Sequence, residues 1–161
     1  FDLFYGGKSA SEAHAEGGDA EVTDIAPKPV DETTPAFRDI HIRNVWCRGA
    51  RRAMYFNGLP EMNVERVTVE NTQIYAVTGA QINESSDVVL RGVKIIPEQG
   101  PALMLNNVKN LSAEGFVCPE GLERALVVTG SRNRSIEVSS PQITGANASL
   151  SKGAARYVAI K

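Results

Sequence analysis

The sequence is poor in the residues that mark several protein classes. It has two cysteines, Cys47 and Cys118, too few for a disulfide-stapled miniprotein or a cysteine-rich metal site. The pair reads as two small buried hydrophobes, with a single disulfide left open. Aromatic residues make up 6% of the chain, and no apolar run approaches the length of a membrane-spanning helix. The only histidines, His14 and His41, have no carboxylate partner at metal-ligand spacing. With 17 Lys and Arg against 19 Asp and Glu, the chain also lacks the basic excess of a dedicated nucleic-acid binder.

What is present is uneven. Residues 1–36 hold eight acids and two bases, whereas residues 37–161 hold eleven acids and fifteen bases. Within the first part, residues 1–6 read as a strand of an incomplete coil. Phe1-Asp2-Leu3-Phe4-Tyr5 has the texture of a strand interior, so further coils upstream, or a partner on that face, are expected. Residues 7–36 are acidic, rich in Gly, Ala and Pro and without a sustained period, which predicts a surface excursion.

From Phe37 onward short alternating strands recur. One series runs Ile40-His41-Ile42, Val67-Thr68-Val69, Val93-Lys94-Ile95 and Phe116-Val117-Cys118, at offsets of 27, 26 and 23 residues. A second runs from Ala53–Asn57 through Gly79–Asn83 and Ala102–Asn106 to Ala125–Thr129, at offsets of 26, 23 and 23. Two series sharing one period define a repeat. A leucine-rich repeat is excluded because Val, Ile and Asn stand where its leucine frame would be. No helical stripe separates the segments. The pattern predicts an all-β, right-handed parallel β-helix of about five coils. Its coils span residues 37–134, and residues 135–161 form the last coil and cap. Asn57, Asn83, Asn106 and Thr129 end successive strands and are expected to stack as a ladder of polar side chains. His41, between Ile40 and Ile42, is expected to face solvent. Asn83, Asn110, Asn133 and Asn147 lie in Asn-x-Ser sequons, which carry little weight because Asn83 is a ladder position.

Phe1–Lys8, the stretch Thr34–Val45, and Arg52–Glu61 with its Asn57-Gly58-Leu59-Pro60 turn resemble the polygalacturonase-like glycoside hydrolases of family 28. The resemblance covers most of residues 1–115 and is nearest to a bacterial branch. It implies the same parallel β-helix, with this chain the C-terminal part of a longer solenoid, and an inverting hydrolysis of galacturonan or related pectic linkages. An inverting glycosidase needs two carboxyl groups with room for a water between them. The family's Asn-Thr-Asp, Asp-Asp, Gly-His-Gly and Arg-Ile-Lys motifs are absent from these residues. No catalytic residue is therefore assigned, and the chain alone is expected not to hydrolyse pectin.

Tyr5 occupies the position of the family's sugar-packing tyrosine, where an aromatic face would lie on a pyranose ring. Lys8, after a Gly-Gly turn, is a point charge for a uronate carboxylate. Arg48, Arg51 and Arg52 form a basic knot whose guanidinium forks suit the carboxylates of an acidic polysaccharide. The resemblance implies no cofactor and no metal. The expected partner is pectin or galacturonan, with no nucleic acid and no membrane, and self-association at the open N-terminal end is a further expectation. The resemblance also places the parent enzyme in the periplasm or outside the cell. A non-catalytic module for acidic glycans and a purely structural solenoid are the alternatives.

Overall fold

Alternation of apolar and polar residues makes each short segment a strand with one face to bury. Only a neighbour at the same height can cover the exposed backbone edge, so the repeats stack. A computed structural model of the chain describes residues 1–3 and 26–161. They form a parallel β-solenoid of about five turns. The strands are β1 (Arg38–Arg43), β2 (Trp46–Asn57), β3 (Val64–Glu114), β4 (Leu126–Thr129), β5 (Arg134–Val138), β6 (Ala148–Leu150) and β7 (Val158–Ile160). No helix among the described residues is long and apolar enough to cross a membrane.

The long β3 carries the chain around more than one coil, and its corners fall at residues with left-handed backbone. Asn71, Glu84, Asp87, Gly92, Asn107 and Asn110 all have positive φ. Asn, Asp and Gly dominate because they tolerate this region with least strain.

Strand pairing produces three rows. In the first, Ile40 and Ile42 of β1 pair with Val67 and Val69. Farther along this row, Leu111 and Ala113 pair with Ile136 and Val138 of β5, which pair in turn with Val158 and Ile160 of β7. In the second row, Met54, Phe56 and Asn57 pair with Ala80, Ile82 and Asn83. Leu103 and Leu105 continue it onto Leu126 and Val128, then Ala148 and Leu150. The third row is short: Trp46 and Cys47 pair with Gln73 and Ile74, and Lys94 bridges Val117.

This register corrects the first sequence series. Val93–Ile95 and Phe116–Cys118 lie in the third row, beside Trp46 and Cys47, and not above Ile40–Ile42. The coil shortens after the second turn. Arg91 bonds Glu70 across 21 residues and Glu114 across 23, while Asn110 donates to Asp87 across 23. Val88 and Leu90 therefore belong to the first row, and a constant offset of 26 overshoots them. The boundary expected at residue 135 falls inside β5.

The core is the inward line of each row. Val67, Leu90, Leu103, Leu126 and Ile136 are fully buried, whereas Ile40, Ile42, Val158 and Ile160 on the outermost described rungs are only partly covered. Burial thus follows height in the stack. Cys118 is buried, Cys47 half-buried, and both are free thiols.

The expected ladder forms in two separate pieces at the turn after the second row, with no hydrogen bond between Asn83 and Asn106 among the described residues. Asn83 Nδ2 donates to Asn57 Oδ1 at 3.1 Å, Asn57 Nδ2 to Asp2 Oδ1 at 2.9 Å, and Asn106 Nδ2 to Thr129 Oγ1 at 2.9 Å. Each bond satisfies a polar group that the tight turn would otherwise bury alone.

Candidate functional site

The third row is where the solenoid presents its least expected outer surface. Inward alternation puts Cys47 and Ile74 toward the core, which turns Trp46, Arg48, Gln73 and Tyr75 outward. Trp46, the chain's single tryptophan, is 64% exposed. Its neighbour Arg48 lies over two rings, with its guanidinium carbon 5.5 Å from the Trp46 centroid and 5.1 Å from that of Tyr75. Gln73 Nε2 donates to the Tyr75 hydroxyl at 2.6 Å, which fixes the second ring.

Trp46 and Gln73 line a groove of about 500 Å³ together with Asn44, Asn71 and Lys94, among others. Its floor is a corner of the solenoid. Asn44 and Asn71 both have left-handed backbone, and the Asn71 amide donates to Asn44 Oδ1 at 2.7 Å. The groove thus combines an exposed aromatic plate, fixed amides and one lining cation, Lys94, with Arg48 beside it over the Trp46 ring. An aromatic face packs on the apolar face of a sugar ring, amides bond hydroxyls, and cations take carboxylates.

The basic knot expected from Arg48, Arg51 and Arg52 is divided. Pairing with β3 slips between Cys47 and Ala50, and Gly49, at φ +73°, turns the chain there. Arg48 remains on the Trp46 side. Arg52 instead lies over Tyr55, 4.3 Å from its ring centroid, and Arg51 is exposed. Tyr5 and Lys8 lie outside the described residues, as does His14. His41 is exposed on β1, as alternation requires.

Sequence reasoning missed Trp46, Gln73, Tyr75 and Lys94 as a group. Trp46 was within reach of it, because inward Cys47 forces its neighbour outward. Gln73 and Lys94 were not, because their heights depend on the shortened coil.

A second polar cluster lies beneath the turn that follows the ladder. Glu84 is only 7% exposed, and its Oε1 accepts from Asn107 Nδ2 at 2.7 Å and from Arg132 Nη2. Its Oε2 accepts no hydrogen bond among the described residues. Burial pushes the carboxyl above its ordinary pKa, against the pull of Arg132, Asn107 and the more distant Lys109 charge.

Elsewhere carboxylates are held by arginines. Asp39 and Glu65 share Arg66, and Glu70 and Glu114 share Arg91. The Arg66 contact keeps the Asp39 carboxyl below its usual range. A carboxylate clamped in this way is a poor general acid. Among the described residues no three His, Cys, Asp or Glu side chains gather as metal ligands. No family model, curated protein or solved structure matches the chain.

Proposed function

We propose that this solenoid is the substrate-holding part of a polygalacturonase-like glycoside hydrolase. Its substrate is a galacturonan or related pectic polysaccharide, met in the periplasm or outside the cell. Inverting hydrolysis is carried by carboxylates outside these 161 residues. The observation that carries the reading is Arg48 lying over both Trp46 and Tyr75, beside a groove that Trp46 lines together with Lys94. A sugar ring on the Trp46 face brings its carboxylate within reach of a guanidinium already restrained by two rings. That restraint lowers the entropy lost on binding. The resemblance of residues 1–115 to the hydrolase family supports the choice of an acidic pectic chain among glycans.

Affinity electrophoresis and titration calorimetry against polygalacturonate, with neutral galactan as the control, test the proposal. Wild type binds the acidic polymer and not the neutral one. Trp46→Ala and Arg48→Gln each weaken binding about tenfold or more, the size of one stacked ring or one charge-assisted contact. Equal binding of both polymers, or full affinity in the Trp46→Ala protein, overturns it.

A further inference from the structure

At the far end of the first row, the charge pattern of the solenoid's outer surface breaks. Along this row opposite charges stack: Asp39 with Arg66, Arg91 between Glu70 and Glu114, and Glu137 with Lys161. Such alternation is the stable solution, because like charges on neighbouring strands repel. At the rung that begins β5 the pattern is reversed. Lys109 of β3 pairs in register with Arg134 of β5. Arg156 lies in the short 3-10 turn, Ala155–Tyr157, that leads into β7, and its guanidinium shares the Tyr157 ring with that of Arg134. Two cations thus pair on neighbouring rungs, and a third shares a ring with one of them.

Two of them are also held in place. The guanidinium carbons of Arg134 and Arg156 lie 4.4 Å and 4.7 Å from the centroid of the same ring, Tyr157. Arg134 Nη1 donates in addition to the Asn133 carbonyl. The ion pairs among the described residues include neither arginine, and both are exposed. Glu84, the buried carboxylate of this region, is engaged by Arg132 and Asn107. Tyr157 therefore concentrates two cations at the surface, and among the described residues no carboxylate pairs with either.

We infer that Arg134, Arg156 and Tyr157 form a second binding site, distinct from the Trp46 groove, for a carboxylate of an acidic polysaccharide chain. The choice of polysaccharide rests on the function proposed above. Guanidinium forks donate paired hydrogen bonds to a planar carboxylate, and a ring that fixes the forks orients them before the ligand arrives. The two sites lie on different rows. A long chain can engage both, and a short oligomer reports on each separately.

The test is a titration of the full ¹⁵N-labelled chain with trigalacturonate, following the arginine Nε–Hε resonances by NMR. Sodium sulfate at equal ionic strength serves as the comparison. Arg134 and Arg156 are expected to shift together with trigalacturonate and to stay in place with sulfate. Arg134→Gln/Arg156→Gln is expected to lower polygalacturonate affinity about tenfold or more in wild type, and to lower it again in a Trp46→Ala/Arg48→Gln background, where no other site remains to hold the chain. Unmoved Arg134 and Arg156 resonances, equal shifts with sulfate, or unchanged affinity in both backgrounds would overturn the inference. Arg48 reports independently: its resonance failing to move while Arg134 and Arg156 respond counts against the groove and leaves this site standing.

Discussion

Asn83 shows what one side chain does in a stacked fold. Its amide is the donor for Asn57 Oδ1, and both residues are buried. Asn83→Ala leaves that oxygen buried without its donor and is expected to cost about 1–3 kcal/mol in urea unfolding. Glu84 gives a pH signature of definite sign. Its native pKa lies above its unfolded value because burial disfavours the charge. The native state therefore holds the proton more tightly. The stability Glu84 contributes is present at low pH and is lost as pH rises from the unfolded pKa through the native one. Urea unfolding of Glu84→Gln alongside wild type across this range should show the variant gaining relative stability as pH increases. A constant difference between the two proteins would place the carboxyl's ionisation outside the folding equilibrium.

At the scale of elements, the corners decide more than the strands. Gly58 follows the ladder residue Asn57, and a Cβ there would stand 1.9 Å from the Glu84 carbonyl oxygen and 2.7 Å from the Val64 nitrogen. Both obstacles are backbone, so neither can swing aside. Gly58→Ala is expected to destabilise by about 3 kcal/mol, at the upper end of overpacking. Gly145→Ala, where a Cβ meets nothing within 4 Å, should stay within about 0.5 kcal/mol by the same thermal or urea measurement. The second row was legible in the sequence because its apolar core, Met54 to Phe56 and their successors, ends on a polar residue at nearly constant spacing. The first row was legible only over its first pair. Beyond it, Val88 and Leu90 were displaced in the reading by the equally apolar Val93 and Ile95. Periodicity weighs only apolar character, and both pairs point inward.

For the whole molecule, the stack resembles a one-dimensional chain of coils in which each is stabilised by its neighbours. Interior rungs are covered on both sides, whereas Val158 and Ile160 on the last rung are partly exposed. Native-state hydrogen exchange should therefore grade along the axis. Amides of Val158–Ile160 exchange first, and those of Val67–Val69 and Leu103–Leu105 last. Uniform protection from end to end would mean that the solenoid opens as one unit.

The sequence by itself determined the strand class, the repeat, the second-row register and the ladder. These depend on local alternation and on residues a fixed distance apart. The resemblance of residues 1–115 supplied the glycan expectation on which the functional proposal rests. Only the tertiary structure decided which outward side chains share a surface. Trp46, Gln73 and Lys94 are neighbours because successive coils differ in length, and Arg134 meets Arg156 because β7 stacks on β5 and the short turn before it carries Arg156 and the Tyr157 ring to Arg134. Such neighbours are separated in the chain by whole coils. A difference of a few residues in one coil moves every outer contact beyond it, while the apolar core admits either register.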